Sequence, residues 1–205
     1  MHTEQTIIQG PALASAERAL ILLHGRGGAA ADILSLAGLL HVPGYALLAP
    51  QATGYTWYPQ SFLAPPAQNE PWLSSALDLL KQLVSDIEQQ GLAPQQIYFA
   101  GFSQGACLML EFLARNARRY GGAAAFTGGL IGDRIYPEHY SGSFEGMPIF
   151  IGSSNPDPHV PPQRVKDTSA ILIQMGAIVT EKIYDNMGHT ITKDELALAN
   201  RLIFG

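Results

Sequence analysis

The stretch Gln96-Ile97-Tyr98-Phe99-Ala100-Gly101-Phe102-Ser103-Gln104-Gly105-Ala106-Cys107-Leu108-Met109-Leu110 organises the rest of the chain. A β-prone run rich in aromatic and branched residues reaches Gly101, and a helix-forming segment follows Gly105, so Ser103 falls alone on the turn between them. A serine hydroxyl is a weak nucleophile; a tight strand-to-helix turn exposes it and sets it at a helix N-terminus, where developing negative charge is favoured. Gly101 and Gly105 leave room for that turn, where other side chains would collide with strand and helix backbone. The competing reading is that Ser103 merely caps the following helix.

Working outward, the strand before Ser103 belongs to a regular alternation. Residues 3 to 9 read as an edge strand, and Ala19 to Leu23 as a central strand, because its apolar run is continuous. A helix over about 29–40 follows, then a strand at 45–49, a helix over 71–90 and the strand that carries the elbow. Beyond it come a helix over 106–120, strands at 123–130 and 147–152, a helix over 162–175, a strand at 177–184 and a last helix over 193–204. Strands alternating with helices predict one α/β domain over 1–205, with a mostly parallel sheet and helices on both faces, whose ligands bind beyond the carboxyl ends of the strands.

Composition fits this. Hydrophobic residues make up 47% of the 205 and charged ones 14%, a globular balance. Net charge is −5 with no cluster of lysines and arginines, which argues against a nucleic-acid partner. Met1 to Gly10 contains Glu4 and no long apolar stretch, so no signal peptide is read there, and no run is long enough for a membrane span. The single cysteine, Cys107, excludes an internal disulfide and fits a reducing, cytoplasmic setting; it reads as a small buried residue rather than a reactive thiol. A homodimer is compatible with all of this.

Ser103 needs a base. Of six histidines, His189 lies in the loop between the last strand and the last helix, at the strand end from which a side chain can reach the elbow. His24 is its rival, although a histidine beside Gly25 more often braces its own loop, and His159 is a further candidate for the site lining. The imidazole needs an acid, and Asp157 follows the strand at 148–152 and precedes His189, giving the order Ser, Asp, His. Asp133 is the rival acid, and Asp185 is close to His189 along the chain. The oxyanion donors expected are the backbone N–H groups of Gln104, just after the nucleophile, and of Arg26 in His24-Gly25-Arg26-Gly27-Gly28. That glycine-rich run lacks the spacing of either nucleotide-binding loop. Residues 50–71 form a proline-rich, aromatic loop too long for a plain connector, and its Trp57, Tyr58 and Phe62 are candidates for the substrate-pocket wall or for packing on the core.

The four stretches Leu22 to Gly28, Gly101 to Ala106, Asp157 to Pro161 and Gly188 to Ile191 together resemble the signatures of the phospholipase/carboxylesterase family of α/β-hydrolases. The likeness spans nearly the whole chain and is greater to small bacterial carboxylesterases than to acyl-protein thioesterases and lysophospholipases. It implies an α/β-hydrolase fold with about seven strands and no separate lid domain, the triad Ser103, Asp157 and His189, and oxyanion donors at Arg26 and Gln104; with no lid evident an open cleft is expected, which favours a small-molecule ester substrate. It implies no metal or other cofactor. Many members have a hydrophobic residue and Gly-Asp where this chain has Arg26-Gly27-Gly28, a departure that bears on substrate preference. A serine peptidase, or a binding protein without catalysis on the same fold, are the readings from other classes.

Overall fold

The computed structural model describes residues 1–2 and 5–205. Among these described residues, seven strands form a single sheet: β1 (Thr6–Gln9), β2 (Arg18–Leu23), β3 (Tyr45–Pro50), β4 (Ile97–Phe102), β5 (Gly122–Phe126), β6 (Pro148–Asn155) and β7 (Ile178–Asp185). Their order is β1-β3-β2-β4-β5-β6-β7. Among the described residues, the edge pair β1 and β3 is antiparallel and every other neighbouring pair is parallel. The helices are α1 (Ala30–Leu34), α2 (Trp72–Gln89), α3 (Gln104–Arg115), α4 (Pro162–Gln174) and α5 (Lys193–Ala199).

Strand periodicity divides the apolar residues between two layers. Ala19, Ile21, Leu23, Ile97, Phe99, Ala123, Ala125, Ile149 and Ile151 face the layer of α2, α3 and α4. Leu20, Leu22, Ala100, Ala124, Phe126 and Phe150 face α1 and the C-terminal helix on the other side. Burial on both faces is why these strands read as continuous apolar runs. Helix α3 is buried from Gln104 to Ala114, and it lies close on β5, whose sequence Gly-Ala-Ala-Ala-Phe presents no bulky side chain towards it. Among the described residues, no helix is long and apolar enough to cross a membrane.

Several boundaries differ from the sequence-based expectation, each for a local reason. Residues 3 and 4 of the expected edge strand lie outside the described residues, and β1 runs over Thr6–Gln9. The helix expected over 29–40 is a short α1 followed by a 3-10 turn at Ser35–Leu39, where the Ser35 hydroxyl donates to the Asp32 carbonyl at 2.6 Å. Helix α3 stops at Arg115 because the Asn116 side chain takes the Phe112 carbonyl at 2.9 Å and the chain turns to pair Ala117 with Ser141. Strand β5 ends at Phe126, so the expected continuation to 130 is a buried loop instead. Strand β6 extends past 152 to Asn155, since β7 pairs with it residue by residue up to Asn155 and Asp185. The last helix passes from α5 into a π-helical turn at Asn200–Phe204, and Asn200 bonds His41 N–H and the Leu39 carbonyl across to the other end of the α1 layer.

At the start of α5, Thr192 and Glu195 form a reciprocal cap. Glu195 Oε2 accepts the Thr192 N–H at 2.8 Å, and Glu195 N–H donates to the Thr192 hydroxyl at 3.3 Å. The Glu195 carboxylate is buried against Gly152, and among the described residues its Oε1 has no hydrogen-bond partner.

Backbone passes close to backbone under the elbow. A Cβ on Gly105 would run into the Leu23 and His24 carbonyls, and one on Gly101 would stand 2.9 Å from the Gly105 carbonyl and the Ala106 nitrogen. Backbone cannot swing aside as a side chain does, so Gly105→Ala is expected to lower unfolding free energy by about 3 kcal/mol or more, at the upper end of overpacking costs. Gly38→Ala, in open space within the 3-10 turn, is expected to stay within about 1 kcal/mol of wild type or to stabilise. Urea midpoints of the two variants check this.

Candidate active site

Ser103 occupies the turn from β4 into α3 with φ 54° and ψ −120°. A non-glycine residue in this region carries of order 1–3 kcal/mol of strain, and the surroundings hold it there. Its N–H donates to the Phe126 carbonyl at 2.9 Å, and its carbonyl accepts the Cys107 N–H at 3.0 Å. The hydroxyl therefore projects above the carboxyl end of the sheet instead of folding back to cap the helix, and no side-chain cap bond from it to α3 is made.

His189 comes from the loop after β7, and Asp157 from the loop after β6. The His loop is fastened to β6 by Asn186 N–H on the Asn155 carbonyl at 2.9 Å and by Gly188 N–H on the Ser154 hydroxyl at 3.0 Å. His189 Nε2 lies 2.8 Å from Ser103 Oγ, and Nδ1 lies 2.8 Å from Asp157 Oδ2. The other carboxylate oxygen, Oδ1, accepts the N–H groups of His159 and Val160, both at 2.8 Å. An ionised carboxylate only accepts, so Nδ1 bears the imidazole proton, and Nε2 turns a lone pair towards the Ser103 hydroxyl. Burial acts to raise the Asp157 carboxyl, but the bonds from His189, Val160 and His159 outweigh it and hold the group below the ordinary carboxylate value. The His189 ring is flanked by Phe102 and His159, with centroids 5.1 and 4.9 Å away.

The two rival residues are engaged elsewhere. His24 is buried, stacks on Trp57, and its Nε2 accepts the Ala52 N–H at 3.1 Å. Its Nδ1 must then carry the proton, donated to the Gly25 carbonyl at 2.7 Å, and burial lowers its pKa. It braces the glycine-rich loop as a neutral ring. The Asp133 carboxylate is exposed and accepts the Tyr136 hydroxyl at 2.6 Å, away from His189. Cys107 is buried, with its thiol pushed up to about 12 by desolvation.

A cavity of about 610 Å³ opens over Ser103 and His189. Arg26 and Gln104 line it, and a Cβ on Gly25 would sit 3.4 Å from the Ser103 Cβ, so the glycine-rich loop borders the elbow directly. Tyr58 and Phe62 belong to its wall, as does His159. Trp57 does not line it. Its ring is wholly buried behind the wall, with Nε1–H on the His24 carbonyl at 2.9 Å, so of the two readings of that residue, packing is the one found. Gln60, Ser61, Leu63, Pro158 and Val160 also line the cavity. The sequence signal for them was position alone: each lies in the long loop or beside Asp157.

A family model described as phospholipase/carboxylesterase matches residues 4–203. The crystal structure of a phospholipase/carboxylesterase from Dyadobacter fermentans is 51% identical and superposes with a TM-score of 0.98, over 100% of this chain and 98% of that one. Among curated relatives, acyl-protein thioesterase 1 of Saccharomyces cerevisiae is 30% identical over 129 residues, covering 60% of this chain and 55% of the relative. A probable carboxylesterase of Arabidopsis thaliana is 27% identical over 126 residues, covering 60% and 48%. The matched part thus spans about half the length of these curated relatives. With the elbow, the sheet order and the family match in agreement, the chain belongs to the phospholipase/carboxylesterase family and has the α/β-hydrolase fold.

Proposed function

We propose that this protein is a serine hydrolase that cleaves carboxylic esters of small soluble substrates through an acyl-enzyme on Ser103. The observation that carries the reading is the unbroken hydrogen-bond chain from Ser103 through His189 to Asp157. In it, His189 Nε2 takes the Ser103 proton as Oγ attacks the ester carbonyl, and Asp157 holds the tautomer and stabilises the imidazolium. The carbonyl oxygen becomes an anion facing the Arg26 and Gln104 backbone N–H groups, each worth ~3 kcal/mol of barrier. His189 then hands its proton to the departing alcohol, and a water enters by the same route in reverse to release the acid. Tyr58 and Phe62 supply apolar wall to the cavity, which suits a short acyl or alcohol group.

A second reading, hydrolysis of acyl thioesters, is favoured by the similarity to the yeast acyl-protein thioesterase. Both reactions pass through the same tetrahedral intermediate. A panel of acyl esters and acyl thioesters of graded chain length, assayed with purified protein, separates them.

Ser103→Ala is expected to lower kcat on every ester hydrolysed by at least about a thousandfold while leaving the melting temperature near wild type, because alanine fits the same turn. Wild-type turnover in that variant would remove Ser103 from the mechanism. Asp157→Asn is expected to cost about four orders of magnitude in kcat by favouring the wrong tautomer, whereas Asp133→Asn, on an exposed carboxylate bonded to Tyr136, should stay within about twofold. Parallel assays of the two variants decide which carboxylate serves His189.

The pH profile follows from the same geometry. His189 can accept the serine proton only when neutral, so kcat/KM should rise with pH. The Asp157 carboxyl is held below its usual value, so it stays ionised through that rise, and the slope of log kcat/KM against pH should be one rather than two. Its contribution to stability is present above the unfolded carboxyl value and is lost only as pH falls through the lower folded value. Acid inactivation over that rise should therefore reverse on neutralisation, which a pH-jump assay measures.

A further inference from the structure

We propose that Thr56 is a positioning residue for the oxyanion donors, setting the glycine-rich loop and the first turn of α3 in register through a clamp on residues 55–60. This rests on the reading of Ser103 as nucleophile and of the Arg26 and Gln104 N–H groups as donors. Those two groups belong to separate parts of the chain, one in the loop after β2 and one at the start of α3. A tetrahedral oxyanion needs both at about 2.7–3.1 Å at once, and their side chains converge on one short segment.

Gln104 is buried, and its amide is oriented without ambiguity. Oε1 accepts the Trp57 N–H at 3.0 Å, and Nε2 donates to the Tyr58 carbonyl at 2.9 Å, so a flipped amide would oppose donor to donor and acceptor to acceptor. The Arg26 guanidinium spans the other side of the segment. Its NH1 donates to the Thr56 hydroxyl and the Pro59 carbonyl, both at 3.0 Å, and NH2 donates to the Gln60 carbonyl at 2.7 Å. The two networks meet at Thr56 Oγ1, which also accepts Gln104 Nε2 at 3.2 Å and donates its proton to the Tyr58 carbonyl at 3.0 Å. One hydroxyl thus uses its single proton and both lone pairs. Two further ties run parallel: Gly27 N–H donates to the Tyr55 carbonyl at 2.7 Å, and the Trp57 indole Nε1–H donates to the His24 carbonyl at 2.9 Å.

The segment that carries this clamp continues into Tyr58 to Leu63, which wall the cavity. Spacing between the donors and the position of the wall are therefore set by the same bonds. Removing the Thr56 hydroxyl loosens the donors without touching the nucleophile, the base or the acid.

The test uses Thr56→Val, which keeps the shape, and Thr56→Ser, which keeps the hydroxyl. Thr56→Val is expected to lower kcat on a small ester tenfold to a hundredfold, the scale of a misplaced or partly lost donor, with KM within about twofold. Affinity for a trifluoromethyl ketone, which places an oxyanion on a Ser103 adduct, should fall by the same factor. Thr56→Ser should recover both to within about threefold. Arg26→Met, an exposed substitution that keeps the backbone N–H, should act in the same direction, and the double variant Arg26→Met with Thr56→Val should be no worse than the more damaging single one. Wild-type kcat and inhibitor affinity in Thr56→Val would overturn the proposal. So would equal losses in Thr56→Val and Thr56→Ser that track a lowered melting temperature. If Ser103→Ala is inactive while Thr56→Val is wild type, only the clamp fails; an active Ser103→Ala would overturn the reading beneath it.

Discussion

The architecture turns on how closely backbone passes backbone beneath Ser103. The absence of a Cβ at Gly105 lets α3 begin against the carbonyls at the end of β2, and Gly101 gives the same clearance from the strand side. A third glycine, Gly128, lies where a Cβ would stand 2.7 Å from that of Ala106. With α3 pressed this near the sheet, β5 can present only alanines to it, and the helix itself becomes buried around its full circumference. The positive φ of Ser103 is the local cost of this arrangement; the packing of α3 between sheet and neighbouring helices offsets it.

Two buried or half-buried histidines show how the same tautomer serves two purposes. His24 and His189 both carry their proton on Nδ1, and both present Nε2 as an acceptor. At His24 the partners are a carbonyl and a peptide N–H, neither of which exchanges a proton, so the ring works as a strut. At His189 they are a carboxylate, which stabilises a positive ring, and a hydroxyl, which has a proton to give. The difference in chemistry lies wholly in the neighbours.

That difference marks the boundary of what could be read without coordinates. The elbow and the alternation of strands and helices depend on short-range patterns, and these were legible in the chain. Asp157 was singled out because it follows the strand at 148–152 and precedes His189, and its Oδ2 lies 2.8 Å from His189 Nδ1. Trp57 was ambiguous because an aromatic residue in a loop near a site has no local mark for which way it points; the His24 carbonyl that takes its indole N–H is 33 residues away in sequence. Helix ends were misjudged where side chains intercept backbone groups, as at Ser35 and Asn116. Thr56 gave no signal at all, since its role depends on Arg26 and Gln104, 30 and 48 residues distant.

The reciprocal cap at the start of α5 leads outside the site. Burial, opposed by the Thr192 bonds, raises the Glu195 carboxyl above its ordinary value. Between that ordinary value and the raised one, the folded chain keeps a proton that the unfolded chain has surrendered to the solvent. Folding there draws a hydrogen ion in, and unfolding releases it. The residue's help to the native state is complete in acid, below the unfolded value, and drains away as pH climbs through the folded one. Asp157 has the opposite sense: its contribution is complete above the unfolded carboxyl value and is lost as pH falls through the lower folded one, so these two carboxylates respond to pH in opposite directions.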